Sequence, residues 1–316
     1  MNLIKNFKEI TKKDSGIAGG KGASLGEMTQ VKIPVPPGFV IFASAFENFL
    51  EITDLNVEID AELSKVNVQE MHTIENASEG INSMIMAKEI PEKIKQDIMK
   101  NFKELGSQFV AVRSSATAED SSKAAWAGQL ETYLNTTEEN IFENIKKCWA
   151  SLFTPRAILY RIEQNLDKSK ISVAVVVQKM VDSEISGITF TVHPVTQDKN
   201  QMIIEAGYGL GEAIVGGMIT PDSYVLKKDD FSILDINVSK QEKMISRDNK
   251  KGTKWLEIEK ENQEKQKLNN KEIIELAKLC KKIEDHYGFP CDIEWAYEKK
   301  KFYIVQSRPI TTLLNK

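Results

Sequence analysis

Cysteine is scarce in this chain of 316 residues, which has only Cys148, Cys280 and Cys291. The three lie far apart, and no pair has the CxxC spacing that is typical of zinc sites and redox motifs. The sequence therefore gives no support to a disulfide scaffold or a zinc site. We interpret all three cysteines as small buried residues of a protein from a reducing compartment.

Long apolar runs and an excess of positive charge are also absent. No apolar run reaches membrane-spanning length, and the first residues, MNLIKNFKEI, do not have the pattern of a signal peptide. We therefore expect a cytoplasmic protein with no membrane partner. The 42 Lys and Arg residues are outnumbered by 46 Asp and Glu residues, whereas nucleic-acid-binding domains are usually basic. No nucleic-acid partner is expected, and any positive charge that binds phosphate must be local.

The most informative segment present runs from Ala111 to Asn135, AVRSSATAEDSSKAAWAGQLETYLN. The apolar residues 109–112 predict a strand that delivers Arg113 to a loop rich in small and hydroxyl residues. Backbone N–H groups in such a loop can surround an anion, and Arg113 can direct two donors to phosphate oxygens. For this loop taken alone, an ordinary surface turn after a strand is the commoner explanation.

A second group is the short glycine segment around Lys21, Gly19-Gly20-Lys21-Gly22. Glycines on both sides would let the ammonium approach an anion without steric obstruction. The segment is not the GxxxxGK[ST] phosphate loop, because the downstream spacing differs. For this segment taken alone, a plain glycine turn is the commoner explanation.

The end of the chain predicts a β-hairpin, with strands DIEWAY and FYIVQSR joined near residues 298–301. Because side chains alternate along a strand, Ile304, Gln306 and Arg308 are expected on one face. Pairing the apolar sets against a core leaves Glu294, Gln306 and Arg308 together. A carboxylate beside an amide oxygen suits Mg²⁺, and Arg308 would neutralise a phosphate bridged by that metal. A polar, solvent-facing side of the hairpin is an equally good explanation.

Three further segments are distinguished by their polar or glycine residues. Gln178 lies near the end of an apolar strand, where an adenine amino group or an internal backbone group could be its partner. The segment GYGLGE, residues 207–212, lacks the spacing of a dinucleotide fingerprint and is interpreted as a tight strand-to-helix connection. Residues 239–270 are rich in Lys, Glu and Asn, and we predict a solvated, mobile excursion there.

Taken together, the motifs resemble the ATP-binding domain shared by phosphoenolpyruvate synthase, pyruvate phosphate dikinase and rifampicin phosphotransferase. They occur in family order between residues 19 and 309 and cover nearly the whole chain. The matching segments are GGKGASLGEM, VPPGF, AVRSSATAED, AGQLETYLN, SLFTPRAILYR, VVVQKMV, SGITFT, GYGLGE and DIEWAYEKKKFYIVQSRP. The resemblance implies an α+β, ATP-grasp-like fold with a nucleotide cleft between two lobes, residues 1–182 and 183–316.

The resemblance also assigns roles to residues of this sequence. Lys21, Arg113 and Arg308 become phosphate ligands and the catalytic cations. The resemblance places Gly128 and Thr132 on the loop that covers the nucleotide, and Gln178 near the adenine. It makes Glu294 and Gln306 the metal ligands. The implied cofactors are ATP and Mg²⁺.

Two departures from the family pattern affect the functional prediction. The usual AEDLPxASFAGQ loop reads AEDSSKAAWAGQ here, without Leu-Pro and with Lys123 and Trp126. Full-length family members also carry a phosphorylated histidine in a T-S-H setting, which this sequence lacks. The resemblance therefore implies a dikinase-type module that cleaves ATP to AMP and passes phosphate to a histidine on a separate domain or subunit. The alternatives are a non-catalytic ATP-binding regulatory module and an ATP-grasp ligase that makes an acyl-phosphate.

Overall fold

The chain divides into two compact units, and the computed structural model describes residues 2–117, 131–164, 172–248, 252–311 and 313. The first unit contains residues 1–27 and 37–180, and the second contains residues 28–36 and 181–316. The units differ from the predicted lobes, 1–182 and 183–316, in that residues 28–36 pack with the second unit and the later boundary follows residue 180. Each unit is built around an antiparallel sheet with helices, so the fold class is α+β.

The first unit has a five-stranded sheet in the order β1-β2-β5-β3-β4, in which every neighbouring pair is antiparallel. Its strands are β1 (Ile4–Asn6), β2 (Gly38–Ile41), β3 (Val110–Ala116), β4 (Thr132–Thr136) and β5 (Val173–Lys179). Its helices are α1 (Ser15–Gln30, whose last residues belong to the second unit), α2 (Ala43–Ile52), α3 (Leu55–Leu63), α4 (Met71–Ala87), α5 (Glu92–Leu105), α6 (Ile141–Ala150) and α7 (Pro155–Glu163).

The core of this unit lies on one face of the sheet. Val112 of β3 and Val175 of β5 pack there with residues of α2, α4 and α6. Trp149 of α6 stacks on Phe46 and Phe49 of α2, with ring centroids 5.5 and 5.0 Å apart. Alternate residues of a strand point to opposite faces. The residues of β3 and β5 that alternate with the core residues therefore lie on the second face of the sheet.

The second unit has a six-stranded sheet in the order β13-β12-β6-β7-β8-β9 and a separate two-stranded sheet of β10 and β11. The strands are β6 (Ile185–Phe190), β7 (Gln201–Tyr208), β8 (Asp222–Lys227), β9 (Ile233–Asn237), β10 (Lys243–Arg247), β11 (Thr253–Glu257), β12 (Cys291–Glu298) and β13 (Lys301–Pro309). The helices are α8 (Glu212–Val215) and α9 (Asn270–Tyr287).

Helix α9 has clear sequence signals at both ends. Asn269 and Glu272 form a reciprocal capping box, in which each side chain accepts the other residue's backbone N–H, at 3.1 and 2.9 Å. Gly288, in the left-handed region at φ 75°, ends the helix. Cys280 of α9 is fully buried near Cys291 of β12, and burial raises the pKa of Cys280 to about 12. The helix therefore covers the face of the sheet that carries Cys291, Ile293 and Trp295.

Residues 239–270 differ from the sequence prediction. They contain two strands, β10 and β11, and the first residue of α9. Gln241 fixes the start of the segment, because its amide oxygen accepts the Tyr208 N–H at 2.8 Å and its amide nitrogen donates to the Tyr208 carbonyl at 3.0 Å. The described residues of this segment thus form regular structure where a mobile excursion was predicted, although most of them are exposed or half-buried, as expected for a solvated segment. Among the described residues, no helix combines the length and apolar character needed to cross a bilayer.

Candidate functional site

Arg113 lies on the second face of the first unit's sheet. Its neighbours Val112 and Ala116 belong to the core cluster on the opposite face, so alternation directs Arg113 and Ser115 away from that core. Arg113 is only 8% exposed. The sequence therefore places a permanent positive charge in a largely buried position, where its electrostatic interactions are stronger than in water.

The glycine segment around Lys21 covers the same face. Helix α1 is interrupted at Gly19, which has φ 66° and ψ 170°. A Cβ at Gly19 would lie 2.2 Å from Ser115 Oγ, and a Cβ at Gly22 would lie 3.0 Å from Val40 Cγ2. Val40 is paired across the sheet with Val176, which in turn is paired with Arg113. Lys21, which is half-buried, thus belongs to a segment packed on the Arg113 face.

Two other predicted residues share this face. Thr132 is the direct cross-strand partner of Arg113, and Gln178 is the partner of Ala111 on the neighbouring strand. Gln178 is 2% exposed, while Thr132 is exposed. Directly opposed residues in an antiparallel pair lie on the same side of the sheet. One sheet face therefore carries Arg113, Thr132 and Gln178 beneath the Lys21 segment, whereas Gly128 lies outside the described residues.

The close approach of Gly19 to Ser115 should make the free energy of unfolding sensitive to substitution of Gly19. We expect Gly19→Ala to lower the free energy of unfolding by about 3 kcal/mol or more, because it combines an unfavourable positive φ with a steric conflict against Ser115. Gly106→Ala is a matched control in the same unit, since Gly106 has φ 59° but no heavy atom within 4 Å of the added Cβ. Gly106→Ala should lower the free energy of unfolding by only about 1 kcal/mol. Urea unfolding followed by circular dichroism measures both, and equal losses would contradict the packing argument.

The terminal hairpin forms as predicted, but its register contains a β-bulge. Glu294 is paired with Gln306, whereas the next residue, Trp295, is paired with Ile304. Val305 is therefore the extra residue, and the expectation that Ile304 and Gln306 share a face was wrong. The bulge sends Ile304, fully buried, to the α9 side and leaves Gln306 beside Glu294. Glu294 and Gln306 are thus brought together, with their side chains on the face away from α9.

Arg308 lies on this face next to Glu294, and its partner is Asp292. Asp292 and Arg308 are directly opposed in the hairpin. The guanidinium Nε and Nη2 both donate to Asp292 Oδ2, at 2.9 and 2.7 Å. The Arg308 side chain is 48% exposed, so the guanidinium remains accessible. Burial raises the pKa of Asp292, the Arg308 charge opposes this rise, and the Glu294 charge adds to it.

Sequence reasoning missed Asp292 as a site residue. The signal was available, because Asp292 precedes Glu294 by two residues and alternation puts the two carboxylates on one face. It also missed Glu205 of β7, which lies in the same cross-strand row as Glu294, with Ile188 between them. Burial raises the pKa of Glu205, and the charge of Asp292 adds to the rise. This face is therefore more acidic than the sequence prediction assumed.

The donor set on this face fits a hydrated Mg²⁺ ion. In the part of the chain that the structure describes, no three His, Cys, Asp or Glu side chains form a group that could hold a metal. Glu294 and Gln306, directly opposed across the hairpin, can offer one carboxylate and one amide oxygen. Mg²⁺ typically takes one or two protein ligands and completes its shell with water and substrate phosphates. The residues present thus suit an ion that arrives with a phosphate-bearing ligand.

The glycine-rich segment 207–212 has an internal, structural role. The N–H groups of Tyr208, Gly209 and Leu210 donate to Gln241 Oε1, the Glu184 carbonyl and the Ile245 carbonyl, at 2.8, 3.0 and 2.8 Å. Amides that are already engaged inside the protein are not available to an anion. The segment connects β7 to the short helix α8, as the sequence predicted, and it is not a dinucleotide cradle.

Comparison with known proteins identifies the family. Residues 15–316 match the family described as pyruvate phosphate dikinase, AMP/ATP-binding domain. The chain belongs to this family. The resemblance drawn from the sequence motifs is thereby confirmed, and the motif that carries Lys21 and the hairpin that carries Glu294 both fall within the matched range.

The relatives of this AMP/ATP-binding domain are longer proteins. The chain is 45% identical over 320 residues to the probable phosphoenolpyruvate synthase of Methanocaldococcus jannaschii, covering 99% of this chain and 27% of that protein. It is 42% identical over 362 residues to the phosphoenolpyruvate synthase of Pyrococcus furiosus, covering 98% and 44%. It is 39% identical over 316 residues to the rifampicin phosphotransferase of Bacillus subtilis, covering 99% and 36%. The chain therefore spans less than half the length of each of these relatives.

Proposed function

We propose that this chain is an ATP-grasp-like, dikinase-type phosphotransfer module that cleaves ATP to AMP and passes the terminal phosphates to a histidine on a separate domain or subunit. The observation that carries the proposal is the hairpin register that sets Glu294 opposite Gln306, with Arg308 on the same face. A site that only bound the adenosine part of a nucleotide would have little need for metal ligands beside an accessible guanidinium.

The residues of the second unit are assigned to the metal and its phosphates. Glu294 and Gln306 would hold Mg²⁺, which supplies positive charge to the oxygens of the reacting phosphates. Arg308 is half-exposed and is oriented by Asp292 through two donors, and its planar guanidinium has the charge and donor geometry that phosphate oxygens bind. Orientation by Asp292 reduces the entropy that Arg308 would lose on binding.

The residues of the first unit are assigned to the rest of the nucleotide. Lys21 and Arg113 would neutralise phosphate oxygens, Thr132 and Gly128 would cover the nucleotide, and Gln178 would contact the adenine. Phosphoryl transfer depends mainly on positioning and on neutralisation of charge on the phosphoryl oxygens. A buried Arg113 suits this task because it stays charged and is held in place by the strand that carries it.

The proposed chemistry is one nucleophilic displacement. A neutral imidazole nitrogen attacks the β-phosphorus, the bond from that phosphorus to the oxygen it shares with the α-phosphorus breaks, and AMP leaves with that oxygen and the electron pair. No general base on this chain is needed, because the imidazole is itself the nucleophile. The chain's own His193 is poorly suited as the acceptor, since its Nδ1 accepts the N–H groups of Val195 and Thr196 at 3.3 and 3.2 Å and Nε2 must then carry the proton of the neutral ring.

The test is to identify the nucleotide product. The chain is incubated with ATP and Mg²⁺, alone and with a separately expressed histidine-bearing domain from one of the longer relatives, and the nucleotides are separated by ion-exchange chromatography. We expect AMP, and a phosphorylated histidine domain, only in the mixture. Omission of Mg²⁺ and replacement of the acceptor histidine by alanine are the controls. ADP formed with a carboxylate substrate would indicate a ligase, and ATP binding without turnover with any histidine domain would indicate a regulatory module.

A further inference from the structure

Ser115 occupies a buried position directly beneath the Lys21 segment. It lies in β3, two residues after Arg113 and on the same face of the sheet, and it is fully buried. Its hydroxyl faces the interruption of α1, where a Cβ added to Gly19 would lie within 2.2 Å of Ser115 Oγ. Neither the fold nor the proposed chemistry described above assigns this side chain a role.

The interruption at Gly19 creates a need for a hydrogen-bond acceptor. A residue with φ 66° and ψ 170° is not helical, so the helix must restart after it. The first amides of a helix have no acceptor within the helix, and a serine hydroxyl is among the best groups to satisfy one of them. Ser115 Oγ accepts the Gly22 N–H at 3.4 Å. Ser115 thus acts as a cap supplied from β3 to the restarted part of α1.

Both contacts of Ser115 lie next to Lys21 in the chain. Gly19 is packed against the serine hydroxyl and carbonyl, and Gly22 is hydrogen-bonded to the hydroxyl. A lysine among glycines would otherwise be attached to a backbone with many accessible conformations. Fixing the backbone on both sides of Lys21 lowers the entropy that is lost when its ammonium engages an anion.

We propose that Ser115 is a positioning residue that holds the backbone around Lys21 in the conformation that presents the ammonium to the nucleotide's phosphates. The proposal rests on the phosphate role given to Lys21 in the proposed function. It assigns Ser115 no contact with the nucleotide. Ser115 acts through Lys21, and its effect should therefore disappear when Lys21 is removed.

A double-mutant cycle tests this dependence. Isothermal titration calorimetry with ATP and with adenosine is applied to the wild-type chain, Ser115→Ala, Lys21→Ala and the double variant. We expect Ser115→Ala to raise the Kd for ATP about ten-fold, because the free energy that one cap contributes to ordering the backbone around Lys21 must then be supplied by binding. Adenosine binding should be unchanged. In the Lys21→Ala background, Ser115→Ala should cause no further loss for ATP.

Ser172→Ala is the matched control, because Ser172 is a buried serine directly before β5 whose hydroxyl donates to the carbonyl of Ala43 in α2, at 3.3 Å. It should leave the Kd for ATP unchanged. If Ser115→Ala does not fold, Ser115→Cys keeps the shape with a weaker acceptor and should show the same selective loss. An equal loss of affinity for ATP and adenosine in Ser115→Ala, or additive losses in the double variant, would overturn the positioning role of Ser115. The phosphate role of Lys21 would be unaffected by either result. If Lys21→Ala itself left ATP binding unchanged, the proposed function would lose its lysine ligand.

Discussion

Replacement of Arg113 by alanine should weaken ATP binding about 100-fold, equivalent to about 2.7 kcal/mol, while adenosine binding stays nearly unchanged. The expected effect is large because Arg113 is 8% exposed and its charge is poorly screened. A buried guanidinium can form two charge-assisted hydrogen bonds to phosphate oxygens, whereas it has no corresponding partner on adenosine. Calorimetric titration with ATP, ADP, AMP and adenosine would measure the difference.

Comparison of the affinities for ATP, ADP, AMP and adenosine makes this experiment specific for phosphate recognition. Arg113→Lys should recover part of the ATP affinity, because lysine restores the charge but not the two-donor geometry. Arg156→Ala is a suitable control, since Arg156 is an exposed arginine on α7 of the same unit. An equal loss of affinity for ATP and adenosine on Arg113→Ala would instead mean that the residue maintains the shape of the sheet.

Much of the fold could be predicted because local signals agree with tertiary packing. Proline is favoured at the first position of a helix and not in its interior, and Pro155 occupies the first position of α7, which is separate from α6. The apolar run before Arg113 becomes the buried strand β3. In that strand, period-two alternation is enough to predict that Arg113 faces away from the core.

The register of the terminal hairpin could not be predicted in the same way. Simple alternation puts Ile304 and Gln306 on one face, and only the bulge at Val305 separates them. A bulge has no strong sequence signature here, and one extra residue reverses the faces of everything beyond it. Trp295 and Ile304 are directly opposed and both are buried, so their burial favours the observed register, and this tertiary effect is not encoded in the spacing of the hairpin itself.

The strands in segment 239–270 were missed for a related reason. Its many lysines and glutamates indicate a solvated segment, because these residues are almost never fully buried unless they are paired. Lys267 is such an exception. Its ammonium bonds to Asp222 Oδ1 at 2.8 Å, and both side chains are fully buried. The partner is 45 residues away in sequence, so composition alone could not distinguish this lysine from its exposed neighbours.

Replacement of Lys267 by alanine should therefore be strongly destabilising, by about 3–5 kcal/mol, because it leaves a buried carboxylate without its counter-charge. Asp222 would keep the hydroxyl of Tyr224 and the backbone N–H of Ser239, at 2.8 and 3.0 Å, but neutral donors do not replace a full positive charge. The Ser239 carbonyl, which accepts from the Lys267 ammonium at 2.6 Å, would also lose a donor. Urea unfolding and the midpoint of thermal unfolding would measure the change.

Two comparisons distinguish the buried charge from a general effect of removing a lysine. Lys240→Ala breaks an ion pair of 2.7 Å with Glu242 in the same segment, but those side chains are 52% and 69% exposed. An exposed pair contributes only about 0–1 kcal/mol, so this variant should be nearly as stable as the wild type. The double variant Lys267→Met, Asp222→Asn removes both charges and should recover much of the lost stability. If Lys267→Ala were as stable as Lys240→Ala, the buried Lys267–Asp222 pair would not contribute the stability argued for it.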